Sequence, residues 1–515
     1  MLRWLLHPVS RPARWILVVG ALARVALLFA GPRVLDRAFV VDDAYYTLTL
    51  ARSLVLTGMP SADGAEVTSG YQPLLALFQA PAFLVGASPD AGLLWGLAIL
   101  LTADVLCALL LARLAARAAG PIGSITAAAL WSLSPVAVTE ALVGLEGTLA
   151  VAMTLLSAAL VAHLHDAPTR RNAALLGVTL GACLLARIDT AWFVTFVGTW
   201  LLLRHRRLLP FAIGPALVVF GPWLAFCLFV SGRPWPESGD AVRSLIDEGD
   251  TLVSTARCAG WATGYVIPGV LTDPEELRQT LVEHPAAGAA GCLATLVAGG
   301  WFAARAPTAV RLWLFGALAL VPFYVLALPA IWGFRRYLFP ARAGMTLVYA
   351  CLLAMAWERI RHTVPRWSPW LALPVLAGHF ALLLATSLRA PARGSMDRST
   401  GYRAAAIAIF AQLPPGSRLG AFQSGALGYF RPDDITVINL DGVVSGSAHR
   451  AFVEHRLGQH LRDRGATHVT DWKAGLRVLF ERWDDDEEPK LFRLYEAPPQ
   501  GERRFILAKI AWPPG

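Results

Sequence analysis

The residues most able to do chemistry are an adjacent pair of carboxylates, Asp42 and Asp43, in the stretch Val41-Asp42-Asp43-Ala44-Tyr45-Tyr46. Neighbouring carboxylates repel, which raises the proton affinity of one of them unless a cation stands close by. A general base beside a charge-organising partner has this form; a solvated helix N-terminus, where the dipole favours Asp, is the alternative. On a helix Asp42 shares a face with Tyr45, Tyr46 and Thr49, and Asp43 points about 100° away. The two acids are therefore expected to do different work. Further along, Glu140 and Glu146 flank a short loop, and Arg187-Ile188-Asp189 sits at the end of an apolar run. Glu146 either caps the run that follows or, with Glu140, holds a cation or a sugar hydroxyl; Arg187 and Asp189 either neutralise each other or leave the arginine for an anion. Finally, Arg335 and Arg336 open an apolar run in Trp332-Gly333-Phe334-Arg335-Arg336-Tyr337. Two arginines at the N-terminal end of a helix oppose the helix dipole. Guanidinium forks suit phosphate, and snorkelling at an interface is the competing reading.

The elements that must position these groups are set by composition. The chain has 515 residues, 56% hydrophobic and only 16% charged, against about 25% charged for an ordinary soluble domain. A hydrocarbon core takes about 20 apolar residues per helix, and about eleven runs qualify: 14–32, 92–112, 121–139, 147–164, 173–186, 190–203, 208–230, 288–304, 312–330, 337–357 and 369–388. The stretch 73–86 is too short to span and is read as interfacial or re-entrant. The net charge of +9 is carried by arginine clusters between apolar runs. These clusters fall on alternate loops, the mark of cytoplasmic loops rather than of a nucleic-acid footprint. With the N-terminus inside, as an uncleaved first span, the segments 33–91, 140–146, 187–189, 231–287, 331–336 and everything after 389 lie outside. All the unusual acids then share one face. The six cysteines include no CxxC and read as packing residues.

Residues 390–515 differ: they hold all three lysines, the run Asp484-Asp485-Asp486-Glu487-Glu488 and frequent Pro and Gly. A helix near 402–412, a turn at Pro414-Pro415-Gly416-Ser417, strands near 418–422 and 435–440 and a helix near 448–464 predict a small α/β module. The expected fold class is a polytopic α-helical membrane protein over 1–389 with a small extracytoplasmic α/β domain over 390–515.

An ordered set of motifs runs through the chain: Asp42-Asp43-Ala44-Tyr45-Tyr46-Thr47-Leu48, Ala51-Arg52-Ser53-Leu54, Asp63-Gly64, Thr68-Ser69-Gly70-Tyr71-Gln72-Pro73-Leu74, Gly144-Leu145-Glu146-Gly147, Arg187-Ile188-Asp189, Gly232 to Gly239, Arg336-Tyr337-Leu338-Phe339-Pro340, Gly425 to Phe430 and Asn439-Leu440-Asp441-Gly442. This set resembles the bacterial GT-C superfamily of polyprenyl-phosphate-sugar-dependent membrane glycosyltransferases, arabinofuranosyl- and mannosyltransferases among them. The resemblance implies the GT-C fold and inverting transfer from a polyprenyl-phosphate sugar to an envelope glycan, lipid or protein acceptor, at the outer side of the bacterial cytoplasmic membrane. No nucleotide cofactor and no nucleic-acid partner are expected. Asp42 is expected to deprotonate the acceptor hydroxyl. Asp43 would orient the acceptor or hold a divalent cation (Mg, Mn or Ca) with Glu146, while Arg335, Arg336 and Arg187 bind the donor phosphate. Tyr45, Tyr46, Tyr71, Gln72, Glu146 and Asp189 are the expected sugar or acceptor contacts, with Tyr429, Phe430 and Asp441 helping to dock the glycan. The competing class is a polytopic transporter of an envelope precursor, which usually places its charges near the midplane.

Overall fold

The computed structural model describes residues 9–244, 246, 251–266, 283–329, 334–360, 401–483, 490–496 and 505–512. The apolar run expected at 369–388, the acidic run 484–488 and the Trp332-Gly333 pair lie outside the described residues.

Among the described residues, six helices are long and apolar enough to cross a membrane, and the chain is a multi-pass membrane protein. In chain order the helical part comprises α1 (Arg11–Leu28), α2 (Pro32–Ala38), α3 (Asp42–Thr57), α4 (Pro73–Leu84), α5 (Pro89–Ser132), α6 (Pro135–Leu142), α7 (Gly147–Asp166), α8 (Arg170–Ala186), α9 (Ala191–Arg204), α10 (Leu209–Ser231), α11 (Glu237–Ser244), α12 (Thr251–Val266), α13 (Pro285–Arg305), α14 (Thr308–Leu326) and α15 (Phe334–Ile360). Local sequence accounts for many of the boundaries. Ser10, Ser88, Ser134 and Thr169 accept backbone N–H groups of the turns they cap, and Pro at the first turn of α1, α5 and α6 needs no N–H partner there. The runs expected at 92–112 and 121–139 join into one long helix with a break at Ala119-Gly120, where Gly120 has φ +69° before Pro121. The second of those runs is itself divided, because the helix stops at Ser132 and restarts at Pro135. The short stretch 73–86 forms the 12-residue helix α4.

One ionic clamp lies deep among the helices. Arg24 donates from Nε to Asp104 Oδ2 at 2.5 Å and from Nη1 to the carbonyls of Gly20 and Ser132, and Trp131 Nε1 donates to Asp104 Oδ1 at 2.8 Å. The two charged side chains are 2% and 0% exposed, so each depends on the other for solvation.

The C-terminal part comprises α16 (Tyr402–Phe410), β1 (Arg418–Ala421), α17 (Gly425–Phe430), β2 (Thr436–Asn439), α18 (Gly446–Val453), α19 (Leu457–Asp463), β3 (His468–Trp472), α20 (Lys473–Glu481), β4 (Lys490–Glu496) and β5 (Phe505–Ala511). Its sheet has the order β2-β1-β3-β5-β4, parallel at β2-β1-β3 and antiparallel at β3-β5-β4. The helix expected near 448–464 is two helices, turned at His455, the one non-glycine described residue with positive φ. One face of the sheet has its own small core. The other merges with the core of the helical part through Tyr402, Leu427 and Tyr429, so the module is seated on the helices rather than tethered to them.

Asp104→Ala is expected to strand the Arg24 guanidinium in the helical core and to lower stability by about 3–5 kcal/mol, whereas Arg24→Met with Asp104→Leu should recover most of the loss. Thermal unfolding in detergent would read both; a mild single variant would show that the pair carries no such constraint.

Candidate functional site

The loops between helices bring the acidic and basic motifs to one place. Helix α8 ends at Ala186; Arg187 is extended, and a single 3-10 turn, Ile188–Thr190, follows. That turn lets Arg187 fold back on Asp189, donating from Nε at 3.1 Å and from Nη2 at 2.8 Å. Arg187 Nη1 also donates to Glu146 Oε1 at 2.6 Å, and Tyr324 Oη donates to Asp189 Oδ2 at 2.5 Å. Glu146 stands at the start of α7 without capping it, because its carboxylate goes to Arg187. Gly144 makes this approach possible: it has φ +88°, and a Cβ there would lie 2.6 Å from the Ala44 Cβ. The 143–146 turn can thus press onto α3, where Val41 N donates to the Val143 carbonyl.

Across the cavity, Arg336 on the first turn of α15 donates from Nη1 to Asp43 Oδ2 at 2.5 Å. Its Nη2 donates to Tyr337 Oη at 3.3 Å, and its Nε is buried with no partner. Arg187 and Arg336 lie 5.2 and 5.1 Å from the Tyr337 ring centroid, and Tyr337 stacks on Tyr324 at 4.5 Å. An aromatic ring close to two guanidiniums attracts both and eases their mutual repulsion.

These groups line a cavity of about 510 Å³. Of the residues expected from the sequence, Asp43, Tyr46, Tyr71, Gln72, Glu146, Arg187, Asp189 and Arg336 line it; Asp42, Tyr45 and Arg335 do not. Each of the three is placed elsewhere by identifiable contacts. Asp42 is buried and accepts N–H groups of Gly425 and Ala426 at 2.8 Å each, so it caps the start of α17 across the seam between the two parts of the protein. Gly425 is needed for that approach, since a Cβ there would meet the Asp42 carbonyl oxygen at 2.2 Å. Tyr45 is 0% exposed, donates to Asp36 Oδ1 and packs among Tyr402, Tyr429 and Phe430. Arg335 turns to Glu140 at 3.2 Å, about a third of a helical turn away from Arg336. Tyr429 is also fully buried and donates to the Pro89 carbonyl, so it offers no surface to a glycan.

Asp43 and Glu146 are each engaged by a guanidinium, and among the described residues there is no group of three or more His, Cys, Asp or Glu side chains able to hold a metal.

Several cavity residues carried no role in the sequence reading: Trp192, Trp235, Asp240, Arg243, Phe323, Tyr324 and Tyr337. Trp235 lies within the motif Gly232 to Gly239, and Asp240 and Arg243 just after it; the motif marks the segment without assigning work to its side chains. Tyr324 is one aromatic near the end of an apolar run, and nothing in its spacing sets it apart.

The seam beneath the cavity is acidic. Burial pushes the Asp42 carboxyl up to about 7 against the pull of its two N–H donors, and Asp43 and Asp441 add to the rise. Burial also lifts Asp471 to about 7 and Asp441 to about 6. Asp471 accepts the N–H groups of Phe422 and Gln423, while Asp441 accepts from Tyr46 Oη at 3.0 Å.

No family model matches the sequence, and no curated protein matches it. The structure is similar to the crystal structure of ArnT from Cupriavidus metallidurans bound to undecaprenyl phosphate, with a TM-score of 0.57, 14% identity and coverage of 95% of this chain and 97% of that one. It is also similar to the Archaeoglobus fulgidus oligosaccharyltransferase in complex with Zn and sulfate, with a TM-score of 0.53, 13% identity and coverage of 88% of this chain and 67% of that one. The fold is the GT-C fold.

Because the folded state keeps protons on Asp42 and Asp471 that the unfolded chain has released, stability should fall as pH rises from about 4 to about 7 and level off above. Asp42→Ala should cost about 1–3 kcal/mol by leaving two buried N–H groups without an acceptor, and Asp42→Asn should flatten the pH slope. Unfolding midpoints in detergent between pH 5 and 8 test this; the same slope in wild type and Asp42→Asn would remove Asp42 as its source.

Proposed function

We propose that the protein is an inverting glycosyltransferase that moves a sugar from a polyprenyl-phosphate carrier to an envelope acceptor at the outer face of the bacterial cytoplasmic membrane, with the N-terminus inside and the C-terminal module outside. The observation that carries this reading is the pairing of Asp43 with Arg336 across a cavity that also holds the Arg187 cluster. A displacement at an anomeric carbon needs a base for the incoming hydroxyl and positive charge for the departing phosphate, and this cavity holds both. The structural likeness to ArnT, crystallised with undecaprenyl phosphate, supports a polyprenyl carrier.

Asp43 takes the role of base. Its Oδ2 meets Arg336, while Oδ1 has no partner among the described residues, and Asp43 lines the cavity. The acceptor hydroxyl would give its proton to Oδ1 as its oxygen forms the bond to the anomeric carbon. The bond from that carbon to the phosphate oxygen breaks on the opposite face, and the electron pair leaves with polyprenyl phosphate. Attack from the side opposite the leaving group inverts the anomeric centre. The Nε of Arg336 is buried and unsatisfied, so a phosphate oxygen that reached it would not have to displace Asp43. A charge-assisted hydrogen bond of this kind is worth about 1.5–3 kcal/mol, and Arg187 adds its field. Protonation of the leaving group is then unnecessary.

The cavity wall of Ile188, Trp192, Phe323 and Leu328 is apolar, with Trp192 and Phe323 edge to face at 5.9 Å. A prenyl chain would run along this wall from the bilayer. The buried Oε1 of Gln72 has no partner and suits a sugar hydroxyl. No observation favours a transporter.

Asp43→Asn is expected to lower transfer by about 100-fold or more, in the range of general-base catalysis, with the fold and carrier binding retained. Transfer assays with purified protein and radiolabelled polyprenyl-phosphate sugars check it; near-wild-type turnover would end the assignment. Since the arginines compensate the phosphate, exhaustive chelation should leave the rate unchanged. A loss restored by Mg, Mn or Ca would instead reveal a cation site involving residues beyond those described.

A further inference from the structure

Part of the cavity wall meets the C-terminal module and is open to solvent at Trp235 and Arg243, forming a mouth. Its wall is the segment 235–243 with Gly70 and Val443. Gly232 closes α10 in the left-handed conformation, and the chain turns back over the cavity as α11. Two contacts fix α11 in place. Glu237 accepts from Ser69 N at 3.0 Å and from the Thr68 and Ser69 hydroxyls, and Ser244 Oγ hydrogen-bonds His449 Nε2 at 2.9 Å. The segment is therefore built against both the first outer loop and the module.

Three arginines line the cavity, and they differ in one respect. Arg187 is bound by Glu146 and Asp189, and Arg336 by Asp43. The Arg243 side chain, exposed on α11, has no carboxylate or hydrogen-bond partner among the described residues, although Asp240 lies one turn before it. Asp240 is taken by Arg233 and by Trp235 Nε1. The mouth thus holds a guanidinium with no partner among the described residues and, on the same segment, Trp235, which is 46% exposed. A half-exposed tryptophan is a stacking platform for a sugar ring, and a guanidinium on the same segment reads an oxyanion on that ring or the next.

We propose that this mouth selects an anionic acceptor, a glycan bearing a carboxylate or phosphate within a ring's width of the attacking hydroxyl, with Arg243 as the charge-reading residue and Trp235 as the platform. The proposal deepens the transferase reading and rests on it for the word acceptor. Arg243 is a specificity residue, since the reacting atoms lie at Asp43.

The test measures equilibrium binding by calorimetry to the full chain in detergent, without donor. The probes are a glucuronate-terminated oligosaccharide, the matching glucose-terminated one and its 6-phosphate. The wild type should bind the charged glycans about 10-fold or more tighter than the neutral one, the scale of one charge-assisted hydrogen bond. Arg243→Gln should erase that difference while leaving neutral-glycan affinity unchanged, which also reports that the variant is folded. Arg243→Lys should keep part of it, and Trp235→Ala should weaken all three probes. A preference for only one of the two charged probes would identify the anion. Equal affinity for charged and neutral glycans, a preference that survives Arg243→Gln, or a uniform loss in Arg243→Gln would each overturn the proposal. Donor takes no part in these affinities. A failure of sugar transfer would therefore count against the transferase reading, while the charge preference stands or falls on binding.

Discussion

The structure turns on the cost of keeping several charges in a partly dry cavity at the end of a helical bundle. Each guanidinium or carboxylate taken from water loses several kcal/mol of hydration, which only a close counter-charge with good hydrogen-bond geometry restores. The site meets this by pairing before any substrate arrives: Arg187 with Glu146 and Asp189, Arg336 with Asp43. The placement of the surrounding elements follows from that requirement. The single turn after α8 exists to fold Arg187 onto Asp189, and the tight turn at Gly144 brings Glu146 within reach of the same arginine.

The same requirement explains how far the sequence could be read. Apolar runs and loop arginines reveal the bundle because hydrophobic length is a local property of the chain. The short strands at 418–421 and 436–439 were legible from turn residues, but the antiparallel strands β4 and β5 were not, since they follow a charged run and take their register from β3. At the site, residue types and order singled out Asp43, Glu146, Arg187, Asp189 and Arg336 among the charged groups that line the cavity, but not Asp240 or Arg243. Rotation about a helix decided the rest. Asp42 and Asp43 are adjacent, and periodicity separates their directions, yet it does not say which direction holds the cavity. That is fixed by α17, whose two N–H groups claim Asp42 from almost 400 residues away in the chain. Arg335 and Arg336 pose the same problem, resolved by Glu140.

The C-terminal module therefore belongs to the site's construction. It holds Asp42, and through Phe422, Ser424, Asn439 and Asp441 it surrounds the hydroxyl of Tyr46, whose ring faces the cavity. A module that merely covered the bundle would have no need of buried carboxylates at its seam. Here they orient one aromatic wall of the cavity and hold α3, the helix that presents Asp43.

Pairing in advance also shapes how a reaction can proceed. If both arginines were saturated by carboxylates, a phosphate would have to displace one of them, and the gain from the new bond would largely cancel the loss of the old. Arg187 comes close to that limit, with its Nε and both Nη atoms committed. Arg336 does not, since its buried Nε lacks any partner. This fits Arg187 as a fixed charge that braces Glu146, Asp189 and Tyr324, and Arg336 as the arginine proposed to meet the phosphate. Because its other arm already holds Asp43, a phosphate bound at Nε would draw the leaving group and the base to opposite edges of one rigid planar cation, and that plane sets the line along which the hydroxyl must attack.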